Sequence, residues 1–277
     1  MCIRDRTGLV MGGGAARGLA ALGVFKALVE AGIEIDWLGG TSIGSIMAGG
    51  VAAGLTPEQA IENSRLSFKI GKPFGDFTVP VISLLRGNRM KRLLYQYLDH
   101  QIEDLALPYF CVSTNLGRGV KNIHEEGSLV QAIRASAAMP GVLPPAVVNG
   151  ELAVDGAVLN NLPVDIMQQK PVGRIIAIDF SAPVPRKVDY AETPSATAVL
   201  GGRWLPFMRR YRVPGLASII LKATEAGTQD QVRRNGALAD LLIDPKVRHF
   251  GMTDVKSFER IVQAGYDRAR ELLEDWP

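Results

Sequence analysis

Gly40-Thr41-Ser42-Ile43-Gly44 follows the apolar stretch Ile33-Glu34-Ile35-Asp36-Trp37-Leu38 and opens a run of small residues ending at Ala53. A serine in a Gly-x-Ser-x-Gly pattern can sit on a sharp strand-to-helix turn, where glycines admit strained backbone and a close helix crossing. The reading is a strand over 33–38 ending at Gly39-Gly40, then a helix from Ser42 to Ala53 stopped by Gly54. The chain contains 30 glycines, so the pattern alone is weak. A glycine turn with a helix-capping serine is its plainer alternative.

Upstream, Leu9-Val10-Met11 reads as a short buried strand and leads into Gly12-Gly13-Gly14-Ala15-Ala16-Arg17-Gly18. Apolar residues Leu19, Leu22, Val24, Phe25, Leu28 and Val29 then recur at helical spacing between Ala16 and Ala31, with Gly32 as the stop. The order of strand, glycine turn, helix, strand, serine turn and helix is that of a parallel βαβ unit followed by another helix. Thr56 reads as an N-cap before Pro57 in the first turn of the next helix.

Downstream, strands are expected from Pro108 to Asn115 and from Val120 to His124, and a helix from Ser128 to Ala138 ended by Met139-Pro140-Gly141. Val147 to Val154 reads as a hairpin around Asn149-Gly150. Arg174–Ile178 reads as a buried strand, Leu238 to Ile243 as another, and Val255 to Trp276 as a closing amphipathic helix. One α/β domain over residues 7–277 is the economical organisation. Residues 1–6 fit poorly before a buried strand and read as a non-native or disordered start. Within a variable region of residues 181–246, the stretch from Ser181 to about Arg212 is the least regular. There Trp204-Leu205-Pro206-Phe207-Met208 followed by Arg209-Arg210 could be a lid, a lipid-contact surface or an ordinary loop.

Composition narrows the function. A chain of 277 residues, 47% hydrophobic and 21% charged, can bury a substantial core. Its net charge of +3, with no long basic run, gives no reason to expect nucleic acid as a partner. Cys2 and Cys111 cannot supply a disulfide framework or a thiolate metal site, so a reducing, cytoplasmic setting is the expectation. An apolar run of about eighteen residues, the least a spanning helix needs, is absent, and any membrane contact is expected to be peripheral.

An activated Ser42 needs a base. His100, His124 and His249 are the available histidines, and Ser42, Asp155 and His249 would satisfy the order of a Ser-His-Asp triad. Against it, the serine follows only two strands, and His249 lies in a polar segment; His100 and His124 read as surface residues. The alternative is a dyad. Asp155, at a strand end before Gly156-Ala157, would take the proton directly, with burial raising its pKa. Backbone N–H groups of Gly13, Gly14 and Ala15 would then hold the oxyanion. A dinucleotide fingerprint fails in the same glycine loop, because Ala15 and Arg17 stand where glycine is required. No Gly-Lys-Ser/Thr follows for a phosphate cradle.

Gly12 to Gly18, Gly40 to Gly44 and Asp155-Gly156-Ala157 occur in the order and spacing of patatin-like phospholipases, which this chain resembles. Gln101 to Phe110, Ile133 to Pro145 and Asp155 to Pro163 are similar to the neuropathy target esterase branch, which acts on lysophospholipids. The resemblance spans about residues 7 to 180 and resumes from Phe250 to Trp276. It implies a three-layer fold with a central, mainly parallel sheet between helices, Ser42 as nucleophile, Asp155 as its partner, and Gly13, Gly14 and Ala15 at the oxyanion. Gly12, Arg17, Gly18, Gly40, Gly44, Gly156 and Ala157 would support them. It implies a phospholipid or lysophospholipid substrate and no metal or organic cofactor. Many relatives have glycine at the position of Ala15. A catalytically silent lipid-binding module on the same fold is the alternative from another class.

Overall fold

The computed structural model describes residues 3–181, 188–204, 211 and 213–276. In chain order its elements are β1 (Thr7–Met11), α1 (Ala20–Glu30), β2 (Trp37–Thr41), α2 (Ile43–Ala52), α3 (Pro57–Leu66) and α4 (Asn88–Leu98). Then come β3 (Tyr109–Asn115), β4 (Val120–His124), α5 (Leu129–Ser136), β5 (Ala146–Val148), β6 (Glu151–Asp155) and α6 (Val164–Met167). The chain closes with β7 (Arg174–Ile178), α7 (Ala196–Trp204), α8 (Leu216–Gly236), β8 (Leu241–Ile243) and α9 (Phe258–Leu273).

The strands form one sheet in the order β5-β6-β3-β2-β1-β7-β8, with β4 pairing on β3. Pairings among β3, β2, β1, β7 and β8 are parallel, and those of β6 with β3, β5 with β6 and β4 with β3 are antiparallel. Alternation along each strand builds two cores. Leu9, Met11, Cys111, Ile176 and Ile178 face α1, α2, α5 and α9, while Val10, Phe110, Val112, Ile175 and Ala177 face α6 and α8. Helices therefore cover both faces of a mainly parallel sheet, as the sequence leads one to expect.

Several boundaries differ from the sequence expectations, each for a local reason. β2 is Trp37–Thr41 rather than 33–38, and it runs through both glycines. A Cβ on Gly39 would stand 2.3 Å from the Phe110 ring, and one on Gly40 2.6 Å from the Gly44 carbonyl. Residues 33–36 turn instead, and the Asp36 carboxylate accepts the Thr7 N–H at 2.8 Å at the head of β1. The helix expected from Ala16 begins as a tight 3-10 turn, Ala15–Leu19, before α1. β8 is shorter than expected, because the Leu238 and Ala239 amides donate back to the end of α8. Thr56 caps α3 through a reciprocal capping box with Gln59.

The region of residues 181–246 contains α7 and the 21-residue α8, neither of which the sequence pattern announces. Residues 205–210, with the side chain of Trp204, lie outside the described residues, and so does the lid or lipid surface expected there. No helix among the described residues is long and apolar enough to cross a membrane.

Candidate active site

Ser42 sits between β2 and α2 with φ 55° and ψ −126°, a conformation that a non-glycine residue rarely adopts. The turn is enforced by close packing. A Cβ on Gly44 would lie 2.1 Å from the Met11 carbonyl oxygen, so α2 can cross β1 this closely only with hydrogen at that position. The Ser42 N–H donates to Ser136 Oγ at 3.0 Å, and Ser45 Oγ donates to the Ser42 carbonyl at 2.6 Å. With its backbone so held, the side chain is free to point elsewhere. Ser42 Oγ donates to Asp155 Oδ2 at 2.6 Å.

Asp155 ends β6, whose register places it opposite Ser113 on β3. Its second oxygen accepts the Ala157 N–H at 2.8 Å, and its own N–H donates to the Ala138 carbonyl. Gly156 lets this turn lie against β3, since a Cβ there would stand 2.2 Å from the Val112 carbonyl oxygen. Asp155 is 2% exposed. Burial pushes its carboxyl up to about 6, against the opposing pull of the Ser42 and Ala157 hydrogen bonds. No cation forms an ion pair with it among the described residues.

The glycine loop closes over this pair. A Cβ on Gly13 would lie 3.2 Å from Ser42 Cβ and 2.3 Å from Asn161 Oδ1. Gly12 and Gly13 donate their N–H groups to the carbonyls of Ile178 and Asn161, at 3.0 and 3.1 Å. Gly13 is thereby corrected as an oxyanion donor, because its N–H is spent in fastening the loop to the strand ends. The N–H groups of Gly14 and Ala15 have no partner among the described residues, and both residues line the small cleft above Ser42 and Asp155. Ala15 has φ 50°, a backbone geometry suited to the glycine common in the resembling family. Gly18 is required where the loop meets α2, its Cβ position being 2.2 Å from the Ile43 side chain. Arg17 is buried and pairs with Glu225 of α8, joining the loop to the helix that forms the opposite wall.

The histidines are elsewhere. His249 is exposed, stacks on Phe250 and does not line the cleft, so the triad reading fails on geometry: the carboxylate bonds the serine with no imidazole between them. His100 is exposed beyond α4. His124 is not the surface residue expected. It is half-buried, Nε2 lies 2.8 Å from Ser113 Oγ, and burial lowers its pKa.

Sequence reasoning missed the supports: Ser136, Asn161, Glu225 and the pair Asn160–Asn235. Asn160 and Asn161 stand four and three residues before Val164, within the stretch that follows Asp155, but nothing in their spacing tells which backbone groups they hold. Met139, Pro140, Leu221 and Met252 make the cleft walls largely apolar. A second, apolar cavity runs along α2 past Ile43 and Met47, between α3 and α4. Among the described residues no cluster of three or more His, Cys, Asp or Glu side chains could hold a metal ion.

A doubly covered parallel sheet with an elbow serine bonded to a buried carboxylate defines an α/β protein equipped for nucleophilic chemistry. Residues 9–167 match the Patatin-like phospholipase family, and the chain belongs to that family. It is 34% identical over 275 residues to Lysophospholipase NTE1 of Kluyveromyces lactis, covering 96% of this chain and 19% of that protein. It is 37% identical over 273 residues to an NTE family protein of Mycobacterium tuberculosis, covering 98% and 47%. With Patatin-like phospholipase domain-containing protein 6 of Homo sapiens it shares 34% over 278 residues, covering 97% and 20%. The chain thus spans between about a fifth and a half of the length of these relatives. The crystal structure of VipD from Legionella pneumophila superposes with a TM-score of 0.50 at 15% identity, covering 98% of this chain and 67% of that one, and shares the fold.

Proposed function

We propose that the chain is a serine hydrolase of carboxylic acyl esters in lysophospholipids or phospholipids, working through a Ser42–Asp155 dyad. The 2.6 Å contact between Ser42 Oγ and the buried Asp155 carboxylate carries this reading. Ser42 Oγ attacks the ester carbonyl carbon as its proton passes to Asp155 Oδ2. The carbonyl oxygen becomes an oxyanion facing the Gly14 and Ala15 N–H groups, aided by the partial positive charge at the start of α2. Collapse expels the alcohol, which takes the proton from Asp155, and leaves the fatty acyl group on Ser42. Water, deprotonated by the same carboxylate, then releases the fatty acid.

A carboxylate is a weak base for a hydroxyl, and here two features offset that. Burial makes Asp155 more basic than an ordinary aspartate, and the unpartnered Gly14 and Ala15 amides would supply charge stabilisation of a few kcal/mol each, on the order found for single oxyanion donors. Apolar walls suit an acyl chain rather than a charged substrate. The setting we favour is the cytoplasmic face of a membrane, which fits Cys111 as a buried free thiol.

The test is Ser42→Ala, which leaves the fold intact. It should lower hydrolysis of a lysophosphatidylcholine by about a thousandfold or more and prevent labelling by a fluorophosphonate. Undiminished turnover in that variant overturns the assignment.

A further inference from the structure

Residues 76–86 form a small antiparallel hairpin that the catalytic reading leaves unused. Phe77 bridges Leu85, the Thr78 N–H donates to the Leu84 carbonyl at 3.1 Å, and the Arg86 N–H donates to the Asp76 carbonyl at 2.9 Å. Its tip is Val79-Pro80-Val81-Ile82. Phe77, Val79, Val81 and Ile82, with Ile70 from the preceding turn, are 71–84% exposed. Five large apolar side chains held in water within thirteen residues are a cost that a folded chain tolerates where something covers them.

The charge around them identifies the occupant. The stretch from residue 68 to 92 carries Lys69, Lys72, Arg86, Arg89, Lys91 and Arg92 against a single acid, Asp76, a net +5 where the whole chain is +3. All six are exposed, and Lys72, Arg86, Arg89 and Arg92 form no ion pair among the described residues. At the hairpin's base, Arg86 pairs with Asp76 through the backbone, and the Arg89 N–H donates to the Asp76 carboxylate at 3.1 Å. An apolar tip above a basic base suits a bilayer, in which side chains enter the acyl region and cations meet phosphate. A second copy of this chain would bring +5 against +5.

Position supplies the third observation. The Leu84 and Leu85 N–H groups donate to the carbonyls of Gly141 and Val142, each at 3.0 Å. Met139 and Pro140, directly before them, wall the cleft over Ser42. On the inner side, Phe68, Pro73 and Phe74 line the apolar cavity that reaches Ile43 and Met47 of α2.

We propose that the hairpin of residues 76–86 is a membrane-docking element that inserts its apolar tip into an anionic lipid surface and brings the Ser42 cleft to it. The proposal rests in part on the lipid-ester reading above, and its test is made independent of catalysis. The full chain carrying Ser42→Ala is co-sedimented with phosphatidylcholine vesicles, with and without phosphatidylglycerol. Binding should be stronger to the anionic vesicles. V79S/V81S/I82S should weaken it by about tenfold or more, and R86Q/R89Q/R92Q should abolish the preference for phosphatidylglycerol. With Ser42 restored, both triple variants should hydrolyse a soluble short-chain ester at the parent rate, which shows that they fold.

Parent-like vesicle binding by the tip variant overturns the proposal, as does equal binding to the two kinds of vesicle. So does a concentration-dependent dimer that the tip variant abolishes, since the hairpin would then be a self-contact. If soluble-ester hydrolysis is absent from the parent while tip-dependent vesicle binding persists, the docking surface stands and the catalytic reading alone falls.

Discussion

Asp155 concentrates the physical conflict of the proposed site in one residue. Its buried carboxylate accepts from the Ser42 hydroxyl and the Ala157 amide, its only hydrogen-bond partners among the described residues, and burial raises its pKa from the ordinary 3.8 to about 6. As the proposed base, it must be ionised to accept the serine proton. kcat/KM should therefore rise tenfold per pH unit below about 6 and level off above about 7. Stability should run the other way. A carboxyl whose folded pKa exceeds its unfolded value favours the fold when protonated. That contribution is complete below 3.8 and is lost as pH rises through about 6. Asp155→Asn keeps the shape without the charge. It should be inactive yet more stable than the parent at pH 8 by on the order of 2–3 kcal/mol, the gain vanishing near pH 3. Urea denaturation at the two pH values reads this directly, and an Asn variant no more stable at pH 8 would show that the carboxylate is not under strain.

At the scale of elements, the cleft owes one wall to α8, which packs through polar contacts as much as apolar ones. Asn235 Nδ2 donates to the Leu162 carbonyl at 2.7 Å and to Asp165 Oδ1 at 2.8 Å, and Gln231 donates to Asn160 Oδ1 at 2.5 Å. The same helix presents Leu221, Thr224 and Glu225 to the cleft. Asn235→Ala should cost about 1–3 kcal/mol by leaving buried acceptors unmet. Amide exchange along α8 should quicken, and lipid hydrolysis should fall with it. This helix was illegible beforehand because Thr224-Glu225-Ala226-Gly227-Thr228-Gln229-Asp230 shows no apolar stripe, and its partners are side-chain amides scattered far along the chain. β1, α1, α2 and β7 were legible because they bury one face or two in regular alternation. The crossing of α1 and α9 was hidden as well. A Cβ on Gly23 would lie 1.9 Å from the Val262 carbonyl oxygen, and one on Gly265 2.0 Å from that of Ala20. Gly265→Ala should thus force the helices apart and lower the urea midpoint, at a cost of about 2–3 kcal/mol. Ser42, Asp155 and the glycine loop stood out in the sequence because their chemistry is tied to short patterns. That Gly13 spends its N–H on Asn161, and that His249 stands apart, are facts of three-dimensional placement alone.

Across the whole molecule, charge and apolar exposure are unevenly placed. The net +5 of residues 68–92 exceeds the total of +3, so the remainder of the chain is slightly acidic. The hairpin of residues 76–86 is fastened to residues 141 and 142, just before β5 at one edge of the sheet, whereas β8 forms the opposite edge. A molecule so polarised should meet an anionic bilayer in one orientation, hairpin first and β8 away. Single cysteines can report this, because Cys111 is fully buried with its thiol pushed up to about 12 and will not compete for label. In a Cys2→Ser background, an environment-sensitive fluorophore at Val81→Cys should shift to the blue on adding phosphatidylglycerol vesicles. The same fluorophore at Leu242→Cys, on an exposed position of β8, should not. Raising salt should release the Val81 signal by screening the basic base of the hairpin, while hydrolysis of a soluble ester stays constant, since the Ser42–Asp155 pair is buried and its mutual contact is little screened. Equal shifts at both positions would mean adsorption without orientation, and the asymmetry of charge would then have no part in bringing the cleft to its lipid.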